Sequence, residues 1–162
     1  MGKLDGKVAL VTGSGRNIGR ATILKMAAEG ANVVVNARSN QAEADAVAEE
    51  ARAMGVKAMA ILADVSNKEQ VDSMVSMAMA EFGKIDILVN NAAIRPHKPF
   101  LEVTLEDWEY VRGVVLDGAF TLPAPSCHQW SRTSTGASSS LLVMEPSKDH
   151  RSEPTFPPPR WG

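Results

Sequence analysis

Cysteine, aromatic side chains and long apolar runs are scarce in this chain of 162 residues. The single cysteine, Cys127, excludes an internal disulfide and accords with a reducing cytoplasm. Aromatic residues make up 5%, with one tyrosine, Tyr110, so chemistry that needs a phenol has one candidate. Lysine and arginine total 17 against 19 acidic residues. No basic excess exists to neutralise phosphates, which excludes nucleic acid as the main partner. No apolar run approaches the ~20 residues of a membrane helix. The N-terminus, Met1-Gly2-Lys3-Leu4-Asp5-Gly6, has no apolar signal core and no myristoylation signal. What is there is 44% hydrophobic and 22% charged, the make-up of one soluble globular domain.

Proline divides the chain. Residues 1–121 hold Pro96 and Pro99, whereas residues 122–162 hold the other seven of the nine prolines and eight serines. The first part is periodic and rich in Ala and Val. The second has little periodicity and ends in Pro157-Pro158-Pro159, so it is expected to be mostly irregular, with at most a short strand near Leu141–Met144.

The first part alternates strand and helix. Val8–Thr12, Asn32–Asn36, Lys57–Ala63 and Ile85–Val89 read as buried strands. Helices are expected over Ile18–Glu29 and Gln41–Met54, with Gly30 and Gly55 at their ends. A third is expected after a Ser66–Glu69 capping box, burying Val71, Met74, Val75, Ala78 and Phe82, with Met77 and Met79 widening the face. Thr104 caps a fourth, running through Trp108, Val111 and Val114 to about Phe120. This order predicts an α/β fold: a doubly wound parallel sheet of about four strands, with ligands beyond the carboxyl ends of the strands.

Thr12-Gly13-Ser14-Gly15-Arg16-Asn17-Ile18-Gly19 joins the first strand to the first helix. Glycines allow a tight turn, and free N–H groups at a helix start hold a pyrophosphate, so the turn points to dinucleotide binding. The alternative is a turn that merely packs helix on strand. The second turn reads Asn36-Ala37-Arg38-Ser39 and lacks the carboxylate that holds a ribose 2′-OH. Arg38, with Arg16 from the first turn, suits a 2′-phosphate and favours NADP(H) over NAD(H).

Residues 5–120 resemble the short-chain dehydrogenase/reductase family, in the compact form that includes 3-oxoacyl-carrier-protein reductases. The resemblance rests on Thr12-Gly13 through Ile18-Gly19, on Asp64-Val65, on Asn90-Asn91-Ala92, and on Trp108 followed by Leu116-Asp117-Gly118-Ala119-Phe120. It implies a Rossmann-fold, homo-oligomeric oxidoreductase passing hydride between NADP(H) and a carbonyl or alcohol. By the same resemblance Asp64 and Val65 hold the adenine, Asn90 braces the central strands, and Ala92 lies along the cofactor. Asp64 also reads as a plain turn residue.

The chain departs from that family in three places. The central glycine of the turn is Asn17, a residue tolerant of positive φ. The family's Asn-Asn-Ala-Gly ends in Ala93, and its catalytic Asn maps onto Val115. The Ser and the Tyr-x-x-x-Lys of the family do not occur in this chain; His97 reads as a surface residue and nothing marks Ser138, Ser139 or Ser140 as catalytic. Read one frame over, the tail's codons can encode text resembling the family's next helix, fifth strand and lysine motif. The shift places Val, Leu, Ile or Phe, never Tyr, four before the lysine. A frameshift near codon 122 or 123 accounts for this; a divergent tail and alternative splicing stand beside it. The chain is therefore expected to be catalytically dead. The competing expectations are a non-catalytic dinucleotide-binding module and a poorly folded product without function. Without further strands, Ile85–Val89 is expected to be an exposed apolar edge through which, with the last helix, the chain self-associates.

Overall fold

The computed structural model describes residues 2–122 and 137–140. Its core is a parallel sheet of β1 (Val8–Val11), β2 (Asn32–Ala37), β3 (Ala58–Leu62), β4 (Ile87–Asn90) and β5 (Ala137–Ser140), in the order β3-β2-β1-β4-β5. The chain moves outward from β1 to β3 on one side and returns to lay β4 on the other. That reversal opens a crevice beyond the carboxyl ends of β1 and β4.

Helices cover both faces because alternate strand residues point to opposite sides. Ala9, Val11, Val33 and Val35 share one apolar cluster with Ile23 and Ala27 of α1 (Asn17–Ala28) and Ala44, Val47, Ala48 and Ala51 of α2 (Gln41–Ala53). Val8, Leu10, Val34 and Leu88 share the other with Val71, Met74, Val75 and Ala78 of α3 (Lys68–Phe82), and with Val114 and Leu122. The doubly wound architecture is thus as the sequence pattern predicts.

Several details differ from expectation. The first turn of α3 is capped by Asn67, whose Oδ1 accepts from the Gln70 amide at 3.1 Å, and not by Ser66. The Ser66 hydroxyl donates instead to Asp64 Oδ1 at 2.6 Å, so the helix starts one residue later. Met77 is 42% exposed and does not widen the buried face, because it lies beyond the edge of the stripe set by Met74 and Ala78. Strand β4 starts at Ile87 rather than Ile85; just before it the Asp86 amide donates to Val8 O at 2.9 Å, and its carboxylate accepts from the Val8 amide and pairs with Lys7 and Lys84.

The Thr104 helix runs to Thr121 as expected, but it is not α-helical throughout. Thr104 and Asp107 form a capping box for α4 (Leu105–Arg112), a π-helical turn follows over Gly113–Asp117, and α5 (Gly118–Thr121) completes the run. Trp108 lies 57% exposed on its surface, whereas Val114 is buried. The wide turn carries Gly118 against Val65, where an added Cβ would stand 3.0 Å from Val65 O.

The expected open edge at β4 is also corrected. Ile87 to Asn90 pair in parallel register with Ala137 to Ser140. An Ala-Ser-Ser-Ser segment has little strand propensity of its own; an available ladder of N–H and C=O groups gives it a partner. The short strand or turn expected at most near Leu141–Met144 and the expected irregularity of the rest of the tail lie outside the described residues.

Candidate functional site

The crevice holds a cleft of about 490 Å³, lined by the β1–α1 turn, the β2–α2 turn, the β3–α3 turn and the segment after β4. It brings together thirteen of the fifteen residues singled out from the sequence: Gly13, Gly15, Arg16, Asn17, Ile18, Gly19, Asn36, Arg38, Ser39, Asp64, Val65, Asn91 and Ala92. The other two, Ser14 and Asn90, are buried beneath it.

The β1–α1 turn is shaped by backbone conformation and close approach. Gly13 has φ of 63° and Asn17 φ of 50°, so both use the left-handed region, and asparagine bears this better than most residues. A Cβ on Gly19 would stand 2.3 Å from Gly13 O, so the helix packs on the turn only without a side chain there. A Cβ on Gly15 would meet nothing closer than Ala37 Cβ at 3.4 Å and Glu43 Cβ at 3.6 Å, which leaves the cleft side of the turn open.

Helix α1 begins at Arg16 without a side-chain cap and with no acid in its first turn. By contrast α2, α3 and α4 are capped by Asn40, Asn67 and Thr104. The first amides of a helix have no intrahelical acceptor. Here they border the cleft beside glycine, which is the donor set a diphosphate requires.

The turn is tied from two sides. Thr12 Oγ1 accepts from the amides of Asn91 and Ala92, each at 3.0 Å. Asn91 Nδ2 donates to Thr12 O at 2.9 Å and Gly13 O at 3.2 Å. From β2, Asn36 Oδ1 accepts from the Gly13 amide at 3.2 Å, while Nδ2 donates to Ile61 O at 3.3 Å and Ala63 O at 3.1 Å. The Asn36 side chain therefore serves the framework of the site. Asn90 Nδ2 donates to Ala119 O at 3.4 Å, linking β4 to α5. Asp64 Oδ1 accepts from the Ser66 amide and hydroxyl, so the turn role is present together with a place on the cleft wall.

Asn40, Glu43 and Val114 also line the cleft and were not foreseen as site residues. Asn40 and Glu43 were findable as a cap and the residue three later, where the Glu43 amide donates to Asn40 Oδ1 at 3.2 Å. Val115, at the family's Asn position, is not among the lining residues; its neighbour Val114 is. A smaller hollow of about 210 Å³ adjoins between Ile94 and Val111, and His97 lines neither cavity. Among the described residues no cluster of three or more His, Cys, Asp or Glu stands ready for a metal, and no helix is long and apolar enough to cross a membrane.

The short chain dehydrogenase family model matches residues 7–137. A 3-oxoacyl-[acyl-carrier-protein] reductase of Synechocystis is 44% identical over 120 residues, covering 74% of this chain and 49% of its own. A reductase of the same description from Staphylococcus aureus is 38% identical over 131 residues, covering 81% and 53%. The crystal structure of NAD+-bound xylitol dehydrogenase superposes with a TM-score of 0.79 at 32% identity, covering 85% of this chain and 53% of that one. The chain thus spans about half the length of the curated relatives it matches.

Proposed function

The chain belongs to the short-chain dehydrogenase family, and from that premise we propose that its cleft is the nicotinamide-dinucleotide half of an oxidoreductase for carbonyl or alcohol substrates, with NADP(H) preferred. The observation that carries this reading is the uncapped start of α1 beside the Gly13–Gly19 turn. Its amides and the glycine path receive the diphosphate. Arg16 and Arg38 flank the place for a 2′-phosphate, and the Asp64-Val65 turn receives the adenine. Glu43, which lines the cleft as Asp64 does, opposes the charge of the two arginines. The nicotinamide, when bound, supplies the hydride chemistry.

Among the described residues no side chain takes the place of the family's Tyr-x-x-x-Lys. Val115 cannot relay a proton, and the one tyrosine lies on α4. Binding without turnover is therefore the expected behaviour of the chain as it stands. General acid–base groups contribute ~10²–10⁴-fold, so any residual carbonyl reduction is small.

Fluorescence titration of the purified chain with NADPH and NADH tests the reading. NADPH is expected to bind more tightly, Arg38→Ala to erase the preference, and Glu43→Gln to enlarge it. Equal affinities in the unaltered chain would overturn the NADP(H) preference, and no binding of either nucleotide would overturn the site. Turnover that a single substitution abolishes would overturn the inactivity.

A further inference from the structure

The β2–α2 turn and α4 meet through one polar contact, in which Arg38 Nη1 donates to the Tyr110 hydroxyl oxygen. The two residues are 72 positions apart in the chain. Arg38 lines the cleft, and Tyr110 lies one turn before Val114, which walls it. The contact therefore ties α4 to an arginine of the cleft wall, while Tyr110 itself lines no part of the cleft.

The choice of partner matters. Arg20 pairs with Glu50, Arg52 with Glu49 and Arg112 with Asp117. Arg38 takes a neutral phenol and, among the described residues, no carboxylate. A phenol orders a guanidinium without neutralising it, and one bond uses one of its five donors. The remaining donors and the full charge stay available to an anion. A long, flexible side chain ordered before its ligand arrives loses less freedom on binding.

We propose that Tyr110 is a positioning residue that pre-orders Arg38 for the 2′-phosphomonoester of an adenosine dinucleotide. This rests on the dinucleotide reading of the cleft. It assigns to α4 a part in cofactor choice that Arg38 alone does not carry.

The test compares Tyr110→Phe, Arg38→Ala and the double variant by titration with NADPH and with NADH. Tyr110→Phe removes one oxygen from a side chain that is 44% exposed, so the fold is retained. It is expected to weaken NADPH about three- to tenfold, the range of one net hydrogen bond, and to leave NADH unchanged. In the Arg38→Ala background it is expected to change neither. The single tyrosine also gives one ¹⁹F signal after 3-fluorotyrosine labelling. That signal is expected to shift in the nucleotide-free Arg38→Ala chain, and in the unaltered chain more with NADPH than with NADH. Equal weakening of both nucleotides, an unchanged NADPH affinity, or independent effects in the double variant would each overturn the proposal and leave the dinucleotide site standing. An unaltered chain that binds neither nucleotide would overturn both.

Discussion

Ser14 and Asn36 hydrogen-bond each other twice: the Ser14 amide donates to Asn36 O at 2.8 Å, and the Asn36 amide donates to Ser14 Oγ at 3.0 Å. The Ser14 hydroxyl donates in turn to Val11 O at 2.7 Å, so the first residue after Gly13 is locked to the ends of β1 and β2 together. This pair fixes where the glycine turn stands relative to the β2–α2 turn. The two turns are thereby held in one frame.

Asn36 is 1% exposed and its Nδ2 faces three carbonyls, those of Ala37, Ile61 and Ala63, so Asn36→Asp would turn a carboxylate toward acceptors. One oxygen of that carboxylate keeps the Gly13 amide, but the other is buried among acceptors without a donor, and the substitution is expected to destabilise the fold by about 2–4 kcal/mol. Ser14→Ala is expected to cost about 1–3 kcal/mol, since it leaves the Asn36 amide without its acceptor. Urea denaturation at neutral pH measures both, and an unchanged midpoint would contradict this account of the turn.

Two glycines of the same turn are expected to respond differently. Gly19→Ala forces a Cβ against the Gly13 carbonyl, and a backbone shift of that kind costs about 1–3 kcal/mol and displaces the amides at the start of α1. Gly15→Ala finds ordinary contact distances and is expected to keep thermal stability while crowding the cleft. A thermal melt paired with an NADPH titration separates the two effects. Equal loss of stability in both variants would refute the distinction.

Asp107 gives the α4 start an acid sensitivity. The Lys98 ammonium and then the Thr104 amide and hydroxyl hold its carboxyl at about 2, below its ordinary 3.8. A carboxyl depressed in the folded state contributes fully above its ordinary value, and the contribution is lost as pH falls through the folded-state value. Asp107→Asn is thus expected to lower the melting temperature slightly at neutral pH. The gap from the unaltered chain should close as pH falls from about 3.8 toward about 2. Melting temperatures across that interval check it, and a gap that widens would reverse the assignment.

Strand β5 assigns a structural part to the start of the Pro/Ser-rich tail. A chain ended after Leu122 loses Ala137–Ser140 and leaves the β4 ladder open, whereas one ended after Ser140 keeps it paired. The shorter form is expected to associate at lower concentration and melt earlier, because an unpaired apolar edge recruits another strand. Light scattering and thermal melts of the two forms decide this, and indistinguishable behaviour would mean that β5 contributes nothing.

Much of the cleft was legible in the sequence, because its parts are local. A glycine turn between an apolar run and a helical period announces its own geometry, and Asn17 could be read as a tolerable bearer of positive φ, which it is at 50°. The helix ends at Gly30 and Gly83 were legible for the same reason, each with φ above 70°.

What the sequence by itself determined is the set of elements in residues 1–122 and the turn chemistry at the strand ends. Hydrophobic period, caps and glycines act within a few residues. The tertiary structure alone decided whatever depends on a distant partner. Asn36 turns into the framework because the carbonyls of Ile61 and Ala63 come within reach across the sheet. Arg38 finds Tyr110, and an Ala-Ser-Ser-Ser segment becomes a strand against β4. In each case the short-range preferences are weak, and the free energy comes from a polar group satisfied by a residue that only the folded chain brings near.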